Sequence, residues 1–130
     1  MLQWGIVYAF EAQRPIYYAL CGGLALNACF NVIAKHMAVG SETGYIEVPD
    51  INYSKHSSFG SQELFRRDNH EWIGQQVDYS NTYKVPIATL DSFCLTRADL
   101  IKIDVEGMEA DVIKCAAATL KDRKPLIYYE

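Results

Sequence analysis

What this sequence lacks narrows it quickly. Its four cysteines, Cys21, Cys29, Cys94 and Cys115, contain no C-x-x-C pair and lie in apolar segments. That is the setting of buried free thiols in a reducing, cytoplasmic compartment rather than of disulfides or a thiolate metal site. The three histidines, His36, His56 and His70, form no H-x-x-x-H or H-x-x-E-H pattern, so no metal site is expected. A positive excess is also missing: the net charge is −4, and the one dense basic cluster, Lys121 to Lys124, falls at an expected helix end. Cations are favourable there against the helix dipole, which leaves nothing to bind a phosphate backbone, and no nucleic-acid partner is expected. Charge of either sign is absent from Pro15 to Ala34, twenty residues that could span a bilayer. Yet Asn27 and Asn31 interrupt the stretch, Gly22-Gly23 sit in its middle, and Glu11 and Arg14 precede it instead of a basic segment. A shorter amphipathic helix fits its apolar spacing better, and no membrane partner is expected. Internal repeats, low-complexity tracts and any G-x-G turn after a strand are absent too.

What is present is globular. The chain has 130 residues, half of them hydrophobic and 22% charged, enough for one domain with a real core. Ile6 to Phe10 is β-branched and aromatic and ends in Glu11, which reads as a strand. Pro15 can open a helix without losing a needed hydrogen bond. Ile16, Leu20, Leu24 and Ala28 then recur every four residues as a broad apolar face suited to covering a sheet, with Gly22 and Gly23 weakening it locally or letting another element approach. Asn31 to Val39 reads as a second strand, completing a βαβ unit with parallel pairing. Tyr45 to Val48 and Tyr83 to Ala88 are further strands. Thr89 to Phe93 is a short helical turn. Between them, residues 50–82 form a polar insertion rich in Ser, Asn, Gln, Tyr and His, with some periodicity only around Gln62 to Phe65. A polar loop of this length in a compact domain is functional or disordered. Leu100 to Val105 is an apolar run of the kind buried on both faces of a parallel sheet. Gly107 turns the chain into the strongest helix pattern, Met108 to Lys121, and Leu126 to Tyr129 form a last strand ending in Glu130.

Acids therefore fall at the carboxyl ends of expected parallel strands: Glu11, Asp104 and Glu130, with Glu106 two residues beyond Asp104. In a strand, Lys102, Asp104 and Glu106 point to one side. Ligands of open α/β sheets bind outside the carboxyl ends of the strands, where an acid accepts hydrogen bonds from a ribose diol. Glu11 is placed for that role. Asp104 and Glu106 could take a proton from a substrate hydroxyl or attract a cationic cofactor. Acids just before a helix also serve as caps or dipole partners in proteins with no activity, and spacing leaves both readings open.

Several stretches together resemble the FkbM family of S-adenosylmethionine-dependent methyltransferases. They are V-Y-A-F-E-A-Q-R (Val7 to Arg14), L-A-L-N (Leu24 to Asn27), A-V-G (Ala38 to Gly40), V-P-I-A-T-L-D-S-F (Val85 to Phe93), L-I-K-I-D-V-E-G-M-E (Leu100 to Glu109) and P-L-I-Y-Y-E (Pro125 to Glu130). V-P-D-I-N-Y (Val48 to Tyr53) with S-F-G (Ser58 to Gly60) is similar to the polar loop of one branch of the family. The resemblance implies a Rossmann-like class I methyltransferase sheet, mostly parallel, in one domain over residues 1–130. On that reading Glu11 binds the cofactor ribose, Ala38 and Val39 lie near the adenine, and Asp104, which also borders the cofactor, joins Glu106 beside the transferred methyl and the acceptor. The acceptor implied is a hydroxyl on a sugar, another glycan or a natural-product-like small molecule. Tyr53, His56, Phe59 and Trp72 give residues 50–82 the composition of an acceptor-facing surface, and equally that of a solvated loop.

The sequence departs from the family pattern at Ala12, where proline usually follows the acid, and at Ser61, where the loop usually has glycine. More important, the family's first strand, glycine-rich turn and helix precede V-Y-A-F-E, and these 130 residues do not include them. The missing strand belongs between Ile6–Phe10 and Leu100–Val105. The sheet is therefore expected to be incomplete, to associate with itself through unpaired strand edges, and to bind S-adenosylmethionine poorly as these residues alone. The alternative to a methyltransferase core is an inactive, truncated copy of the fold that serves as a binding or assembly partner.

Overall fold

The structure, a computed structural model, describes residues 5–54, 56, 75–105 and 107–129. Its first unit is the expected crossover. Strand β1 (Val7–Glu11) and strand β2 (Val32–His36) run parallel, with Val7 opposite Val32 and Glu11 opposite His36. Helix α1 (Arg14–Leu26) joins them, with Pro15 in its first turn and the Gln13 carbonyl accepting from the Tyr17 N–H at 2.8 Å. The helix runs through Gly22 and Gly23, and among the described residues nothing lies within 4 Å of where a Cβ on either would sit. It ends before Ala28, which turns left-handed at φ 53°. Among the described residues no helix is long and apolar enough to cross a membrane.

The single strand expected over residues 31–39 is in fact two. The Met37 N–H bonds back to the Glu11 carbonyl at 3.1 Å, which closes the first sheet, and strand β3 (Ala38–Val39) passes into a second one. There β3 lies parallel to strand β5 (Thr82–Ala88), whose other side pairs antiparallel with strand β4 (Gly44–Pro49). Pro86 has no N–H for a ladder, and β3 joins β5 only beyond it, at Ile87 and Ala88. Val48 and Val85 are wholly buried, each contributing about 1.5–3 kcal/mol.

The third sheet pairs strand β6 (Leu100–Ile103) in parallel with strand β7 (Leu126–Tyr129). Burial on both faces, expected of Leu100 to Val105, is not found. Only Ile103 is buried, whereas Leu100 is 60% exposed, because β6 has no described partner but β7 and every residue of β7 is exposed. Gly107, at φ 80°, makes the tight turn that follows. The long helix expected from Met108 to Lys121 is broken into α2 (Glu109–Lys114) and α3 (Ala117–Arg123). The cause is Asp91, on the 3-10 turn Leu90–Phe93. Its N–H bonds to the Cys115 carbonyl at 3.2 Å, and its carboxylate accepts the N–H groups of Ala118 at 2.9 Å and Thr119 at 2.7 Å. Those groups would otherwise continue one helical ladder.

The thiols are free, but only Cys115 is buried; Cys21, on α1, and Cys29, in the link to β2, are half-buried, and Cys94, which follows the 3-10 turn, is exposed. The elements meet over two apolar clusters. Ala38, Ile87 and Met108 form one, with Ala12, Ile46 and Val105 packed against it. Leu90, Cys115 and Ala116 form the other, joined by Val39, Phe93, Leu95, Ile101 and Leu120. The result is a mixed α/β chain with small, mostly parallel sheets.

Candidate active site

The first cluster assembles the site. Ala12 follows Glu11 at the end of β1, Val105 follows Asp104 beyond the end of β6, and both pack on Ala38, Ile87 and Met108. The chain neighbours of the two acids thus share one apolar cluster, and each acid lies at or just past the carboxyl end of a strand in a parallel pair.

Glu11 is half-buried. The Gln13 N–H donates to its Oε1 at 2.7 Å. Burial raises its pKa above the ordinary carboxyl value, against the opposing pull of the Gln13 and Ala12 N–H groups and of nearby His36. His36 stands opposite it on β2, its Nε2 3.1 Å from the Ala12 carbonyl oxygen and its ring stacked on Tyr17 at 5.1 Å. Around the turn into α1, the Tyr53 hydroxyl donates to Gln13 Oε1 at 3.0 Å. The Tyr83 hydroxyl accepts the Arg14 N–H at 2.9 Å, with the Arg14 guanidinium 4.3 Å over the Tyr83 ring. Burial pushes the Tyr53 hydroxyl well above the usual phenol range and raises that of Tyr83, against the pull of Arg14.

Asp104, one residue past the end of β6, is exposed. Lys102 Nζ donates to its Oδ2 at 2.6 Å, which confirms that the two side chains share one side of the extended chain. A pair this open adds little stability but fixes where the carboxylate points. Glu106, the third expected acid, lies outside the described residues, as do Glu130, Phe59, Trp72 and the periodic segment Gln62 to Phe65. Of the other expected residues, Ala38 is buried between Ile87 and Met108, and Val39 packs half-buried on the second cluster. Gly40, which follows them, has no room for a side chain: a Cβ there would stand 2.6 Å from Ile87 Cδ1 and 3.2 Å from Met108 Cε. Among the described residues no group of three or more His, Cys, Asp or Glu side chains could hold a metal ion.

Gln13, His36 and Tyr83 complete the surroundings of Glu11 without having stood out in the sequence. One signal was available for Gln13: a polar residue directly before a helix that opens on proline sits at the N-cap. His36 and Tyr83 come from separate strands and left none.

Short, mostly parallel sheets with a βαβ crossover and acids at two strand ends define an α/β chain of the class whose ligands bind outside the carboxyl ends of the strands. Residues 2–130 match the family model of the methyltransferase FkbM domain, and the chain belongs to that family. The family implies a Rossmann-like fold, and S-adenosylmethionine as methyl donor. Comparison with curated proteins and with solved structures gave no match.

Proposed function

We propose that the chain is the core of an S-adenosylmethionine-dependent O-methyltransferase acting on a hydroxyl of a sugar or natural-product-like acceptor. What supports the reading is that Ala12 and Val105, the residues next to Glu11 and Asp104, pack against the same cluster of Ala38, Ile87 and Met108. A half-buried carboxylate with acceptor oxygens and no ion pair among the described residues fits a ribose diol, which offers two O–H donors. When bound, S-adenosylmethionine supplies an electrophilic sulfonium methyl. The chain's own share is then positioning and proton removal. Glu11 holds the ribose, Ala38 and Val39 flank the adenine side, and Asp104, aimed by Lys102, accepts the proton of the acceptor hydroxyl, a step in which the family resemblance also gives Glu106 a share. The acceptor enters from the side of residues 50–54.

The test is methyl transfer from labelled S-adenosylmethionine by the full-length protein to a panel of hydroxyl-bearing sugars and polyketide-like alcohols. Asp104→Asn is expected to lower turnover about a hundredfold. An unchanged rate removes Asp104 from proton transfer. A second reading, an assembly partner without activity, draws on the exposed apolar residues Val7, Tyr8 and Leu100 on two-stranded sheets. It is favoured if the protein binds the cofactor but methylates no acceptor of the panel.

A further inference from the structure

We infer that Tyr53 is a positioning residue for the cofactor-binding carboxylate, acting through Gln13; this rests on the assignment of Glu11 to the ribose diol. Gln13 contributes two groups to the site. Its backbone N–H holds Glu11 Oε1 at 2.7 Å, and its side-chain Oε1 accepts the Tyr53 hydroxyl at 3.0 Å. The residue is only 6% exposed, so its amide has little water to bond instead.

Gln13 is also the N-cap of α1, a position where short polar side chains such as Ser or Asp bond the first free N–H groups of their own helix. Here it makes no such bond. The side chain is turned away from its helix and toward Tyr53, forty residues along the chain. A cap is forgone for a tertiary contact, and what that contact fixes is the peptide that aims Glu11.

Tyr53 is itself held. The Asn52 N–H donates to Gln75 Oε1 at 3.3 Å, Gln75 Nε2 returns a bond to the Asn52 carbonyl at 3.1 Å, and Gln75 is 8% exposed. Ile51 is buried beside them. The neighbouring Tyr83 hydroxyl, within reach of that of Tyr53, accepts the Arg14 N–H. The segment from Glu11 to Arg14 is thus bonded at Gln13 by a tyrosine of the polar insertion and at Arg14 by a neighbouring tyrosine of β5. The insertion's first residues, which the proposed function places on the acceptor side, are coupled to the acid on the cofactor side.

The experiment measures binding of S-adenosylhomocysteine and of its 2′,3′-dideoxy analogue to the full-length protein by calorimetry. Wild type is expected to prefer the diol by about tenfold or more, the worth of hydrogen bonds to a charged acceptor. Tyr53→Phe keeps the ring and removes only the hydroxyl. It is expected to cut that preference by about threefold or more while leaving affinity for the dideoxy ligand unchanged. Gln13→Met keeps the backbone N–H and the side-chain length but removes the acceptor, and the same loss is expected; it carries the test should Tyr53→Phe fail to fold. A role confined to stability weakens both ligands in proportion. A preference retained by both variants overturns this inference alone, whereas a wild type that does not distinguish the ligands overturns the ribose assignment together with it.

Discussion

Glu11 is held where it is at a cost to the fold. Burial raises its pKa above the ordinary 4.5, and the N–H groups of Gln13 and Ala12 and the nearby His36 offset only part of that. A carboxyl that keeps its proton more tightly when folded than unfolded favours the folded state at low pH. Stability then declines as pH rises from 4.5 through the raised value, and at neutral pH the ionised form is a standing destabilisation. Strain of this kind is tolerated where activity needs the group. Glu11→Gln is therefore expected to melt a few degrees above wild type at neutral pH, with the gain disappearing below pH 4.5, while affinity for S-adenosylhomocysteine falls about tenfold. Melting curves across pH, set beside calorimetry, decide it; a variant that melts lower at neutral pH contradicts the sign. The position of Glu11 was legible in the sequence because an acid closing a β-branched, aromatic run marks a strand end. The Tyr53–Gln13 bond was not, since polar residues forty apart leave no periodic trace.

At the level of elements, the apolar pattern from Met108 to Lys121 is continuous, yet the chain makes two helices of it. Periodicity records which face is apolar; it does not record that a carboxylate 27 residues earlier will claim the Ala118 N–H. Asp91 caps α3 from outside. Burial pushes its carboxyl up, but the Thr119 hydroxyl and the N–H groups of Thr119 and Ala118 outweigh that and hold it below the ordinary 3.8. A depressed folded value means that Asp91 adds stability above the unfolded pKa and that this is lost as pH falls through the folded one. Asp91→Ala is expected to cost about 1–2 kcal/mol in urea unfolding at neutral pH, the usual range for a lost cap. Asp91→Asn, which keeps one acceptor oxygen, loses less. The difference from wild type shrinks in acid below pH 3.8. An alanine variant as stable as wild type at neutral pH shows instead that α2 and α3 part without help from Asp91. Strand boundaries were easier to read: β7 falls where its four apolar residues predicted, because a short run after Pro125 admits few alternatives.

Across the whole molecule, the α/β order was legible but the division into three sheets was not, because partner choice depends on contacts distant in sequence. Residues 31–39 read as one strand, and only the bond from the Met37 N–H to the Glu11 carbonyl reveals the change of sheet. The same division leaves β1 with β2 as its one described partner and β6 with β7 as its one described partner. Isolated two-stranded ladders are marginal in water, and an uncovered apolar edge is a template for another strand. Val7, Tyr8 and Leu100 stand exposed on these strands. Self-association through the open edge of β1 is expected, and its backbone gives a way to test it. The Val7 N–H bonds the Asn31 carbonyl at 3.0 Å, toward β2, so alternation turns the Tyr8 N–H toward the open edge. Tyr8→Pro deletes a donor there without removing a rung of the β1–β2 ladder. Sedimentation velocity should show wild type growing heavier across the micromolar range and Tyr8→Pro remaining monomeric with unchanged circular dichroism. A wild type that stays monomeric rules out association, and a proline variant that associates as wild type does moves the contact away from this edge, to the exposed faces of β6 and β7.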